Sequence, residues 1–169
     1  MEKRKVEKSA TLILGVVVIC LSFVRIDSHI VGIYPNCHLL GRVLYPLFHA
    51  NLLHATLNIW CLLSLVFMYN IRTWRLLLSY VISATVPIGC IASLWGGSQL
   101  PTIGLSGVVF VLFGSISFEV SRKWYYQMWM VAYIVIGFFN QGVNAWLHLY
   151  CYIIGLVIAL LNKPIKIDR

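Results

Sequence analysis

Charge of either sign is scarce in these 169 residues: 11% are charged, and only Glu2, Glu7, Asp27, Glu119 and Asp168 are acidic. A soluble domain is not built this way. A chain that is 60% hydrophobic, in repeated long uncharged runs, reads as a set of transmembrane helices. His-Glu-x-x-His and clustered carboxylates are both missing, so metal-assisted hydrolysis lacks its ligands and no metal or other cofactor is expected. The five cysteines (Cys20, Cys37, Cys61, Cys90, Cys151) show no CxxC or Cys/His zinc spacing, and all but Cys37 fall in apolar runs as small packing residues. An N-x-S/T acceptor, an alternating strand pattern, an internal repeat, a low-complexity tract and a linker are also absent. Residues 1–169 therefore read as one all-α domain. The net charge of +8 does not point to nucleic acid, because the basic residues sit in short clusters between apolar runs and form no interleaved patch.

Six of those runs are long enough, or nearly so, to cross about 30 Å of hydrocarbon at about 1.5 Å per residue. They cover 9–26, 50–69, 75–95, 104–121, 125–141 and 144–162. Basic residues precede the first run, as in a signal peptide, but no small-x-small cleavage site follows it and a retained helix is expected. Lysine and arginine set the orientation. Lys3, Arg4, Lys5 and Lys8, the Arg72/Arg75 and Arg122/Lys123 links, and Lys163, Lys166 and Arg169 all fall on one side of six spans, leaving Arg25 and Arg42 opposite. The positive-inside rule then puts both termini in the cytoplasm.

The outer connections differ in kind. Residues 27–49 form a long loop with Pro35, Arg42, Pro46 and several large apolar side chains, suited to the membrane interface. Residues 96–104, Gly96-Gly97-Ser98-Gln99-Leu100-Pro101-Thr102-Ile103-Gly104, cannot be a regular helix. The run from Gly104 to Glu119 spans only about 24 Å, so the loop is expected to re-enter and carry Ser106 below the surface. Irregular backbone at that depth must be covered by protein or line a water-filled cavity.

Ionisable residues inside spans are functional candidates, and here they are histidines in the outer half. His54 and Asn58 are i,i+4 on one face of span two, within about 6 Å of each other, with His49 about a turn above at the mouth. His148 lies about one turn into span six, after Asn140-Gln141-Gly142-Val143-Asn144. Singly, a serine among small residues is ordinarily a helix-packing residue, and a histidine a cross-helix hydrogen-bonding group. What sets this group apart is that His49, His54, Ser106 and His148 share one depth.

The residue types suit acyl transfer. A serine hydroxyl needs a neighbouring base, which neutral histidine supplies near pH 7. The tetrahedral intermediate needs preorganised donors, which His54, the Asn58 amide and backbone N–H groups near Ser106 can provide. No orienting carboxylate is evident: Glu119 is about 20 Å along the helix from Ser106, and Asp27 has no tie to His148. A Ser-His dyad is the simplest arrangement. The soluble-hydrolase elbow does not fit, because the order is G-x-S-G without a strand.

Gly104-Leu105-Ser106-Gly107 at the head of span four, the H-x4-H-x3-N spacing of His49, His54 and Asn58, and His148 in span six together resemble the rhomboid family of intramembrane serine proteases, in its minimal six-span prokaryotic form. The resemblance covers nearly the whole chain. It implies a six-helix membrane bundle in which Ser106 attacks and His148 carries the proton. His54 and Asn58 would stabilise the oxyanion, with His49, Gly104, Gly107 and Arg42 in support. Phe110 stands where many members have a tyrosine packed against the base. There are two departures. Gly41-Arg42 replaces Trp-Arg, and Cys151 replaces the first glycine of H-x-x-G-x-x-x-G, with Gly114 and Gly155 retained. The larger Cys151 is expected to push spans four and six apart unless its neighbours compensate.

The substrate implied is a single-span membrane protein, entering laterally from the bilayer beside span five and unwinding locally at the cut. Trp129 and Phe138 are expected to hold that gate. The location implied is a prokaryotic cytoplasmic membrane. Two other functions compete. A non-catalytic relative that binds and escorts membrane proteins would not need Ser106 and His148. A small transporter using the histidines as a proton relay would be expected to show an inverted repeat or an intramembrane carboxylate.

Overall fold

A computed structural model of the chain describes residues 3–96 and 100–161. Glu2, the Gly97-Ser98-Gln99 part of the outer connection, the last residue of the run 144–162, and Lys163, Lys166, Asp168 and Arg169 lie outside the described residues, as do the side chains of Lys3 and Arg4. Among the described residues there are nine helices: α1 Lys3–Leu21, α2 Ser28–Val31, α3 Leu39–Leu44, α4 Leu52–Met68, α5 Thr73–Ala84, α6 Ile88–Trp95, α7 Ser106–Ser115, α8 Lys123–Phe138 and α9 Ala145–Leu161. The only β pairing recorded among them is an isolated antiparallel bridge between Ile33 and Thr102.

α7 is the axis of the fold. It is apolar all round, and Gly107 to Leu112 are all buried, the condition of a helix surrounded by others. One side of it meets a core built with α1 and α4 (Val18, Ile59, Leu62, Leu65 against Leu105, Val108, Leu112). The other side meets α9 and the α5–α6 region (Phe110, Val111 against Val86, Ile88, Leu147, Cys151). α7 and α9 touch backbone to backbone. A Cβ on Gly114 would lie 2.6 Å from Leu156 N and would run into the Tyr152 carbonyl, and one on Gly155 would meet Gly114 Cα at 3.0 Å. Glycine at these two positions lets the helices approach this closely.

The runs read from hydropathy correspond to helices with different ends. α1 begins at Lys3 and stops at Leu21, with turns through residues 22–24. The run 104–121 is helical only over Ser106–Ser115, about 15 Å, and continues as turns. The run 75–95 is two helices bent by 51°. Pro87 causes the break, since it has no N–H to donate and its ring disfavours helix at Val86. The carbonyls released there are taken up by Arg42, whose Nη1 donates to Val86 O at 2.8 Å and to Ala84 O at 3.4 Å. Loop 27–49 contains α2, capped by Asp27 accepting from His29 N–H at 2.9 Å, and α3.

Taken singly, none of the described helices is both long and apolar enough to cross a membrane; α5 and α6 are so only as a pair. The exterior is nonetheless apolar. Ile13 and Val16 on α1, Trp60 on α4, and Trp124, Met128 and Ile136 on α8 are each more than half exposed. A soluble monomer rarely carries apolar patches this extensive.

Several charged groups gather at one end. Arg75 at the start of α5 pairs with Glu119 beyond α7 at 2.7 Å. Thr73 Oγ1 donates to Glu7 Oε1 at 3.0 Å, and Lys8 Nζ lies 4.6 Å from the Phe67 ring centre at the end of α4. The histidines lie at the opposite ends of these helices. Glu7 and Glu119 are thus engaged away from His49, His54 and His148, and Asp27 is engaged in capping α2.

Candidate active site

Five contacts from four parts of the chain fix the approach to Ser106. Thr102 exchanges backbone hydrogen bonds with Ile33, 2.9 Å each way. Its hydroxyl accepts from Asn144 Nδ2 at 2.9 Å. Gly104 N–H donates to Tyr45 O at 2.8 Å, and Leu105 N–H donates to His49 Nε2 at 3.1 Å. Because His49 accepts at Nε2, its proton is on Nδ1. Gly104 has φ +136°, which L side chains rarely adopt, and a Cβ there would lie 2.8 Å from His54 Cε1. Glycine is therefore required twice over at this position.

Ser106 is the first residue of α7, where the helix N-terminus leaves its leading amides without intrahelical partners. Its Oγ lies 2.9 Å from Nε2 of His148 on α9. Asn144 Oδ1 accepts Leu147 N–H at 3.1 Å, capping the helix that carries this histidine. The Phe110 ring lies flat on the His148 imidazole, with centres 4.2 Å apart and planes 10° from parallel. The contact expected of the phenylalanine is present without a hydroxyl.

Cys151 does not force α7 and α9 apart. It is fully buried among Tyr45, Val86, Val111 and Leu147, one turn below His148, while the glycine contact and the Ser106–His148 distance are both kept. Gly41 also has a local reason. A Cβ there would lie 2.5 Å from Gly32 O, so a tryptophan would collide with the α2–α3 turn.

The remaining expected residues are near but differently engaged. His54 packs edge-on against His49 at 5.1 Å and against Gly104. Asn58 is buried, and its Nδ2 donates to the His54 carbonyl at 2.9 Å within α4. Asn51 caps α4 by accepting His54 N–H at 2.8 Å. Above His54 opens a cavity of about 180 Å³ lined by residues including Ala50, Pro101, Thr102, Gly142 and Asn144. Among the described residues no three His, Cys, Asp or Glu side chains come together as a metal would need.

Tyr45, Ser83, Thr102 and Asn144 were not picked out by sequence reasoning. Tyr45 and Ser83 are ordinary core types with no motif to mark them. Asn144, three residues before an amide it caps, is a recognisable helix-start signal.

The rhomboid-domain family profile matches residues 36–164. No curated protein and no solved structure matches the chain. The match spans most of the sequence, and the chain belongs to the rhomboid family. That family is membrane-embedded and consists generally of intramembrane serine proteases, which makes this chain an integral membrane protein.

Proposed function

We propose that this rhomboid-family protein is an intramembrane serine endopeptidase working through a Ser106–His148 dyad. The observation that carries the reading is the 2.9 Å contact between Ser106 Oγ and His148 Nε2, made at a helix N-terminus near a cavity whose mixed lining includes His54, Thr102 and Asn144. Ser106 Oγ attacks the scissile carbonyl carbon while its proton passes to His148 Nε2. The oxyanion is held by His54 and by the amides leading α7, with Asn58 sharing its second amide hydrogen. Collapse breaks the C–N bond as His148 returns the proton to the leaving amine, and water then hydrolyses the Ser106 ester by the same route. Without a carboxylate, the imidazolium is stabilised by the face of Phe110, a contact worth about 0.5–2 kcal/mol.

In this reading the chain crosses a prokaryotic cytoplasmic membrane six times, as one domain with both termini inside. α5 and α6 make one bent crossing, and the clustering of charge at one end supports the arrangement. Substrates are single-span proteins reaching the dyad between α4 and α8. α8 buries little besides Met130, Ile134 and Gly137, while the gap of about 230 Å³ between its start and the ends of α4 and α7 lies at the end remote from the dyad. Of the two gate residues suggested by sequence, Phe138 packs edge-on against Trp146 at 4.9 Å. Trp129 is 59% exposed, and its ring partner is Tyr125 of its own helix, so it is poorly placed to hold the gate shut.

The test is labelling of detergent-solubilised protein by a fluorophosphonate. Wild type should label, while Ser106→Ala and His148→Ala should not. A folded wild type that fails to label would refute the protease and favour a binder of membrane proteins.

A further inference from the structure

Tyr45 is fully buried just after α3, and both ends of the residue act on the serine turn. Its carbonyl accepts Gly104 N–H at 2.8 Å. Its ring reaches across to α5, where the phenol donates to Ser83 O at 3.0 Å and lies in a very short contact with Ser83 Oγ. The phenol has one proton and the carbonyl takes it, so the Ser83 hydroxyl donates to the phenol oxygen. That oxygen presses on the residue after the nucleophile: a Cβ on Gly107 would lie 2.5 Å from Tyr45 Oη and 2.7 Å from Ser83 Oγ. The first turn of α7 therefore rests on a buried, doubly bonded polar platform, and the glycine before Ser106 hangs from the same residue.

From this geometry we infer that Tyr45, anchored by Ser83, is a positioning residue that sets the height of Ser106 against His148. The inference rests on the protease reading for its purpose, but its geometry can be tested separately. A core residue that only filled space would be replaced by phenylalanine at little cost. A positioning residue would not, because the hydroxyl is what locates the ring.

The experiment compares wild type, Tyr45→Phe, Ser83→Ala and the reference Ser106→Ala, each labelled with ¹⁵N-histidine in detergent micelles. It reads the His148 Nε2 resonance, fluorophosphonate labelling and Tm. The expected result is that Tyr45→Phe and Ser83→Ala both move the resonance toward its position in Ser106→Ala. Labelling should slow on the order of 10- to 100-fold, with probe affinity little changed. If Tyr45→Phe does not fold, Ser83→Ala alone decides, since it removes one hydroxyl and keeps the ring. A resonance unchanged from wild type in the folded variants overturns the inference. Failure of wild type to label sinks the protease reading instead, and leaves the resonance to decide the positioning role.

Discussion

Gly155→Ala is the sharpest perturbation of the dyad that touches neither of its members. The new methyl would collide with the Val111 carbonyl and lie 3.0 Å from Gly114 Cα and Val111 C, all backbone atoms of α7. Backbone cannot swing aside as a side chain does, so the helices must part. Restoring an ordinary carbon contact of about 3.5–4.0 Å requires roughly 0.5–1 Å of separation. The contact lies about two turns from Ser106 on α7 and from His148 on α9, so the same displacement is felt at the dyad. A hydrogen bond of 2.9 Å opened by that amount leaves the useful range. Misplacement of this order costs up to about 100-fold in rate, and overpacking costs about 1–3 kcal/mol in stability. The assay is the second-order rate of fluorophosphonate labelling beside detergent Tm, with cleavage of a single-span reporter as a second readout. Labelling within twofold of wild type at an unchanged Tm would refute the claim that this glycine contact sets the Ser106–His148 distance.

Phe110→Leu keeps the bulk but loses the ring face against the imidazolium. Labelling should slow by roughly 3- to 30-fold, and unchanged labelling would remove Phe110 from the mechanism. Arg42→Ala removes the side-chain donor from the Ala84 carbonyl and leaves the Val86 carbonyl with the Ile88 N–H alone at the bend. It should lower stability by about 1–3 kcal/mol, read as Tm, while folded molecules still label; full stability would show that the guanidinium contacts do not hold the bend. Phe138→Ala should raise cleavage of a single-span reporter while leaving fluorophosphonate labelling unchanged, and Trp129→Ala should change neither; equal effects of the two would count against a gate at Phe138. The general base must be neutral to accept the serine proton, so labelling should fall as pH is lowered and His148 becomes charged. His54→Asn should retain that dependence, and its loss would move the base to His54.

Much of the candidate site was legible in the sequence because its members are expensive where they stand. Histidines and an asparagine in apolar runs, and a glycine-flanked serine, are improbable without a use, and their spacing places them on helix faces with no knowledge of the fold. The helices themselves were visible from hydropathy, which reports burial and lipid exposure alike. For that reason it overran the ends of α7 and missed the α5–α6 break, although Pro87 was there to mark it. Which residues support the dyad was not legible. Tyr45, Ser83 and Thr102 are common types whose partners lie 38 to 69 residues away in the chain, so their role exists only once α3, α5 and α9 close around α7.

The effect of Cys151 could not be read from the chain for the same reason. Sequence told that a glycine was replaced, but room for the sulfur depends on how Tyr45, Val86, Val111 and Leu147 surround it. By itself the sequence determined residue types, helical faces and the end of the molecule at which charge collects, since these follow from local periodicity and solvation. Only the tertiary structure decided the 2.9 Å between Ser106 and His148. That distance is set by backbone contact at Gly114 and Gly155 and by five hydrogen bonds converging on one turn, and such convergence is a property of packing.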